Sequence, residues 1–147
     1  MSAQPPDDAD EPTLGAQVRS TVARLYRRFR TERPEGGLGD AALEVLVRLY
    51  KYGPQTLTQL STHDRVAPAS MSQIVNRLTS AGYAIRTPDP DDGRKILLRV
   101  TAEGTELAVA TRNQRNAWLE SHLDELAPAD RATIARACAL LNSITES

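Results

Sequence analysis

Apolar residues recur every three to four positions over six stretches of this chain and every second position over two. That switch of period is the first structural signal in the sequence. Leu14, Val18, Val22, Leu25 and Phe29 share one helical face, with Arg24, Arg27, Arg28 and Arg30 on most of the remaining surface, and this helix must end before Pro34 and the Gly36-Gly37 break. Asp40 suits the N-cap of a second helix, whose face is Leu43, Leu46, Val47 and Tyr50 and whose stop is Gly53-Pro54. Thr56-Leu57-Thr58-Gln59 reads as a capping box opening a short third helix that buries Leu57 and Leu60 and ends near His63-Asp64. Pro68 fits the first position of a fourth helix, with Met71, Ile74, Val75 and Leu78 inward and Gly82 as a left-handed stop.

From Tyr83 the period becomes two. Tyr83, Ile85 and Thr87 alternate with Ala84 and Arg86, and Ile96, Leu98 and Val100 alternate with Leu97 and Arg99. The two strands are joined by Pro88-Asp89-Pro90-Asp91-Asp92-Gly93-Arg94-Lys95. Thr101 can cap a long helix reaching about Leu123, and Pro128 starts a last one striped by Ile134, Ala137, Leu141 and Ile144. The expected fold is mainly α with a small β-hairpin: a winged helix-turn-helix flanked by dimerisation helices from both chain ends, with six helices and two to three short strands. Residues 1–12 are expected to form a mobile acidic arm, 13–53 the N-terminal helices, 54–101 the winged region and 102–147 the C-terminal dimerisation helices.

Composition changes this picture little. At 147 residues the chain can bury a core without disulfide or metal staples, and 40% hydrophobic with 25% charged residues is ordinary for a water-soluble domain. No apolar run is long enough to span a bilayer and the N-terminus is acidic rather than signal-like, so a cytoplasmic location is expected. The lone Cys138 lies on the last helix's apolar stripe and is expected to pack inside, and His63 and His122 lack a ligand spacing, so no metal or other cofactor is expected. No nucleophile with its base, phosphate-cradling glycine loop or convergent acid pair occurs at a recognisable spacing, which argues against an enzyme.

Charge does change it. The formal net charge is only -1, but residues 1–11 carry four acids and no base, whereas residues 54–101 carry six bases against four acids. Binding to nucleic acid responds to such local excess. A helix with one apolar face and a polar, small-residue opposite face can enter the roughly 12 Å wide major groove of double-stranded DNA. Ser70, Ser72, Gln73, Asn76 and Arg77 form that face. Gln73 and Asn76 can each offer a donor and an acceptor to an adenine edge, Ser70 and Ser72 sit near the positive helix end where phosphate binds, and Arg77 suits the backbone. At the hairpin tip Arg94, beside Lys95, can enter a narrow minor groove, with Asp92 expected to pair with Arg94 and aim it. One such helix reads only a few base pairs, so a homodimer is expected.

The run from Asp89 through Gly104, with Leu78-Thr79-Ser80-Ala81-Gly82-Tyr83 and Arg86 before it, closely resembles the wing signature of the MarR (multiple antibiotic resistance regulator) family, and the order of six helices with a hairpin between the fourth and fifth extends the resemblance over roughly residues 14–146. The resemblance implies a homodimeric transcription regulator, commonly a repressor. Its first, fifth and sixth helices would intertwine, its winged domains would bind a pseudo-palindromic operator, and a small anionic or phenolic effector would relieve repression. By matching positions Arg94 is the wing arginine, Asp92 its partner, and Ser70, Ser72, Gln73 and Arg77 lie on the recognition helix. Gln73 stands where the family often has arginine and Ala67 where it often has a capping serine, so operator preference does not carry over; no cysteine in the first helix matches the peroxide-sensing branch. The competing reading is a winged-helix protein-interaction module without sequence-specific DNA binding, favoured by the near-neutral charge and the single base on the fourth helix. Steep salt dependence separates the two. Trp118 and Leu119 fit a dimer core better than the lining of an effector cleft.

Overall fold

A computed structural model of the chain describes residues 13–32 and 37–147, so the expected acidic arm and the Pro34–Gly36 break lie outside the described residues. The chain divides into two compact units, one ending at Glu32 and the other running from Arg33 to Ser147. The first contains α1 (Leu14–Phe29), started by Thr13, whose Oγ1 accepts from the Ala16 N–H at 3.2 Å. Arg27 and Arg28 occupy its last turn, where cations meet the negative end of the helix dipole, and Arg28 pairs with Glu32 at 2.7 Å. No residue of α1 is buried, and Leu14, Val22 and Leu25 are exposed.

The second unit holds α2 (Asp40–Tyr52), β1 (Gln55–Thr56), α3 (Leu57–Asp64), α4 (Pro68–Ser80), β2 (Ala84–Pro88), β3 (Ile96–Val100), α5 (Ala102–Leu123) and α6 (Pro128–Thr145). The strands form one antiparallel sheet in the order β1-β3-β2, with Thr56 opposite Leu97 and Arg86 opposite Leu98. Together with the helices this is a winged helix-turn-helix, as the periodicity predicts. The core is built on α2, whose Ala42, Leu43, Val45, Leu46 and Leu49 are all buried, joined by Leu60 of α3 and by Met71, Val75 and Leu78 of α4. Each fully buried side chain of that size contributes roughly 1.5–3 kcal/mol relative to exposure.

Local chemistry sets the boundaries. The capping box is complete: Thr56 Oγ1 accepts from the Gln59 N–H at 3.1 Å, and the Gln59 side chain accepts from the Thr56 N–H at 2.9 Å. The helix it opens ends at Arg65, which takes the left-handed conformation (φ 53°) and turns the chain toward α4. Arg48 of α2 bonds Asp64 at 2.8 Å, so an acid at the unfavourable negative end of α3 is compensated.

Two expectations are corrected, the cap of α2 and the packing of Cys138, and one open point is decided. Asp40 is the first helical residue and Gly39 is the N-cap, with no side-chain capping bond; an acid in the first turn serves through the dipole instead. In β2, where the alternation left the inward face open, the buried residue is Ala84 and Ile85 is exposed. Cys138 is exposed, and no residue of α6 is buried in the described structure. Among the described residues no helix is long and apolar enough to cross a membrane.

The hairpin is fastened to α5 at one backbone junction. The Thr101 N–H donates to the Tyr83 carbonyl at 3.0 Å, Thr101 Oγ1 donates to the Gly82 carbonyl at 2.6 Å and accepts from the Gly104 N–H at 3.0 Å. A Cβ at Gly104 would lie 2.0 Å from the Tyr83 carbonyl oxygen, whereas nothing lies within 4 Å of one at Gly93. Alanine normally favours a helix over glycine by about 1 kcal/mol. At Gly104 the sign reverses: Gly104→Ala is expected to lower unfolding free energy by about 1–3 kcal/mol or more, since backbone must move, while Gly93→Ala stays within about 0.5 kcal/mol of wild type. Urea unfolding of both variants checks this.

Candidate nucleic-acid interface

The interface begins with the two faces of α4. Met71, Val75 and Leu78 are essentially inaccessible, which forces the opposite face outward: Ser70, Gln73, Asn76 and Arg77 are exposed and Ser72 is half-buried. Pro68 occupies the first helical position and Ala67 the N-cap, which has no side chain able to cap the first turn.

The exposed residues do not behave alike. Gln73, Ser70, Ile74 and Arg77 line a shallow cavity of about 220 Å³ shared with Gly39 and Ala41 at the start of α2. Arg77 folds toward that side, its Nη1 being 3.4 Å from where a Cβ on Gly39 would stand. Asn76 faces the sheet instead. Its Oδ1 accepts from Arg86 Nη2 at 2.5 Å, and Arg86 Nη1 donates to Thr79 Oγ1 at 3.3 Å. Of the residues singled out from sequence, those on α4 and Arg86 therefore form one neighbourhood, while Arg94 and Lys95 lie beyond the strands in the hairpin loop.

That loop is ordered by its own acids. Asp89 Oδ1 accepts from the Asp91 N–H at 2.9 Å, and Asp92 Oδ1 accepts from the Arg94 N–H at 3.1 Å, two successive side-chain-closed turns. Backbone bonds from Lys95 N–H to the Asp92 carbonyl and from Asp89 N–H to the Lys95 carbonyl, each 2.9 Å, close the hairpin. Asp92 thus reaches Arg94 through its backbone, and among the described residues no ion pair joins the two side chains. The guanidinium of Arg94 is left exposed. Lys95 borders a groove of about 520 Å³ with Ile96 on its side and Thr56, Leu57, Thr58 and Gln59, the start of α3, on the other.

Sequence reasoning missed three side-chain contacts. Thr79 is the second anchor of Arg86; its spacing three residues after Asn76 places both on one helical face. Arg99 Nε donates to Thr87 Oγ1 at 2.8 Å across the strands, and Arg115 of α5 pairs with Glu44 of α2. The last two join residues far apart in sequence and left no local signal. Trp118 and Leu119 are half-buried. Among the described residues no three His, Cys, Asp or Glu side chains cluster as metal ligands.

A family model described as the MarR family matches residues 39–96. An HTH-type transcriptional regulator of Mycobacterium leprae is 34% identical over 136 residues, covering 91% of this chain and 94% of the relative. In fold, the chain is similar to wild-type MarR (apo form) of E. coli, with a TM-score of 0.77 at 18% identity over 88% of this chain and 96% of that one. It is also similar to Bordetella bronchiseptica BpsR, whose DNA binding is described as regulated by 6-hydroxynicotinic acid, with a TM-score of 0.64 at 24% identity over 92% of this chain and 94% of that one.

The geometry of the loop separates two roles for Asp92. Asparagine can accept the Arg94 N–H as well as aspartate can, but cannot form an ion pair. Asp92→Asn is expected to leave hydrogen exchange at the Arg94 amide near wild type, whereas Asp92→Ala accelerates it several-fold; equal acceleration in both would show that charge, not the turn, is what counts.

Proposed function

Because this chain belongs to the MarR family of winged helix-turn-helix transcriptional regulators, we propose that it works as a homodimeric repressor that binds a pseudo-palindromic operator in double-stranded DNA and is released by a small anionic or phenolic effector. The observation that carries the reading is the division of α4 into a face buried at Met71, Val75 and Leu78 and an exposed face of hydroxyls, amides and one guanidinium, followed by a hairpin whose Arg94 is free of internal ion pairs among the described residues. In this reading Gln73 and Asn76 meet base edges, Ser70, Ser72 and Arg77 meet phosphate, and Arg94 with Lys95 enters the neighbouring minor groove. Arg86 belongs to the same surface and Asp92 holds the wing turn.

Dimerisation is supported by apolar side chains left uncovered. Ile134, Leu140 and Ile144 are exposed on α6, as are Leu14, Val22 and Leu25 on α1. Exposure of that kind on helices at both chain ends fits an interface with a second copy, and two-fold symmetry doubles the base contacts. Relief by an effector follows from linkage: a ligand favouring one spacing of the two α4 helices shifts the population toward it. The regulated DNA binding of BpsR supports that part.

The decisive test is selection of genomic fragments by the purified protein, which should return a two-fold symmetric site. Failure to prefer any genomic duplex over random competitor at low ionic strength overturns the proposal in favour of a protein-interaction module. Arg94→Ala should weaken binding to all duplexes and make the plot of log affinity against log salt shallower by about 0.9 for each phosphate it no longer neutralises. Leu140→Glu or Ile144→Glu should convert dimer to monomer in sedimentation analysis and lower operator affinity with it.

A further inference from the structure

The contact between β2 and α4 bears on which base the protein can read. Arg86 lies opposite Leu98 in the sheet, and its two terminal nitrogens straddle residues 76 and 79 of α4. Thr79 is a committed acceptor in this fork: its hydroxyl proton is directed at the Val75 and Asn76 carbonyls, each 3.1 Å away, so only a lone pair is left toward Arg86. Asn76 is committed too. A guanidinium has five donors and no acceptor, so the side-chain atom of Asn76 that faces it at 2.5 Å must be the oxygen. The usual freedom of an exposed asparagine to swap its oxygen and nitrogen is removed by chemistry.

We infer that Arg86 is a positioning residue that fixes the Asn76 amide with its nitrogen as the group free for the groove, so that Asn76 selects a base-edge acceptor, guanine or thymine, and disfavours adenine. The inference rests on the reading of α4 as the groove-entering helix. Bidentate recognition of adenine needs an N–H donated to N7 and an oxygen accepting from the N6 amino group. Here the second lone pair of Oδ1 lies beside the guanidinium, and an adenine amino group approaching it would bring N–H against N–H next to a positive charge. Guanine O6 and N7, or thymine O4, meets the same place as an acceptor and is favoured by both the amide nitrogen and the cation. Sequence alone treats Asn76 as an adenine reader; the contact from a strand ten residues later inverts that assignment.

The test is base preference, which a merely structural Arg86 would not alter in a directed way. Selection from a randomised duplex library with the wild-type protein and with Asn76→Ala identifies the symmetric pair of positions whose preference depends on residue 76. At those positions the wild type should favour guanine or thymine over adenine by about five- to tenfold, the size of one good base contact. Asn76→Asp keeps the link to Arg86 but presents an acceptor, and should move the preference to cytosine or adenine on the same strand. Arg86→Ala frees the amide and should bring adenine to within about twofold of guanine. Adenine already favoured by the wild type, no position altered by Asn76→Ala, or an unchanged base order in Asn76→Asp each overturns the inference while leaving the operator-binding reading intact. A wild-type protein with no preferred sequence removes both. Should Arg86→Ala fail to fold by circular dichroism, Asn76→Asp decides alone, because its side chain is on the exposed face of α4.

Discussion

Everything functional in this molecule depends on the insertion of Met71, Val75 and Leu78 into a core prepared by α2 and α3. A helix of 13 residues has little stability alone in water, so α4 exists because one of its faces is buried. The same burial fixes its rotation. Turning the helix by one residue would bring Asn76 or Ser72 toward the core and expose apolar surface, a cost that unpaired buried amides and hydroxyls make prohibitive. Orientation of the polar face is therefore a by-product of packing.

A second constraint ties the hairpin to this helix. Gly82, left-handed at φ 81°, ends α4 and sends the chain into β2, and Thr101 and Gly104 return to that corner from the far end of β3. Arg86 adds a side-chain strut from the middle of β2 to the exposed face of α4. With backbone bonds at the corner and a forked cation above it, helix and wing share one frame, and a displacement of either must carry the other. For a protein that engages two grooves of one duplex, as proposed above, that rigidity keeps the two sets of contacts in register.

The parts legible in the sequence are those set by neighbours along the chain. The capping box at Thr56 and Gln59, the proline start of α4, the glycine stop at Gly82 and the Thr101 cap are readable because each is closed within a few residues, and periodicity then supplies the helices and the hairpin. Sequence reasoning fails where distant atoms decide. Ala84 rather than Ile85 is the buried residue of β2, which alternation alone does not decide, and Cys138 is exposed on a helix with no buried residue. The surface of α4 is legible as a set, yet the orientation of Asn76 depends on Arg86, whose reach back to the helix follows from the sheet and has no signature in spacing. Asp92 is joined to Arg94 as expected but through different atoms, since composition does not tell a carboxylate that closes a turn from one that pairs with a guanidinium.

The fourth helix displays one guanidinium among hydroxyls and amides, while much of the positive charge of the winged region sits in or beside the hairpin. Attraction to phosphate is indifferent to sequence, so a fourth helix carrying one cation adds little of its own to the hold on arbitrary duplex. For a regulator scanning a chromosome, a short dwell on wrong sites leaves a larger share of molecules unattached and shortens each unproductive visit. For the operator binding proposed above, discrimination would then come from abandoning mismatches quickly as much as from gripping the target.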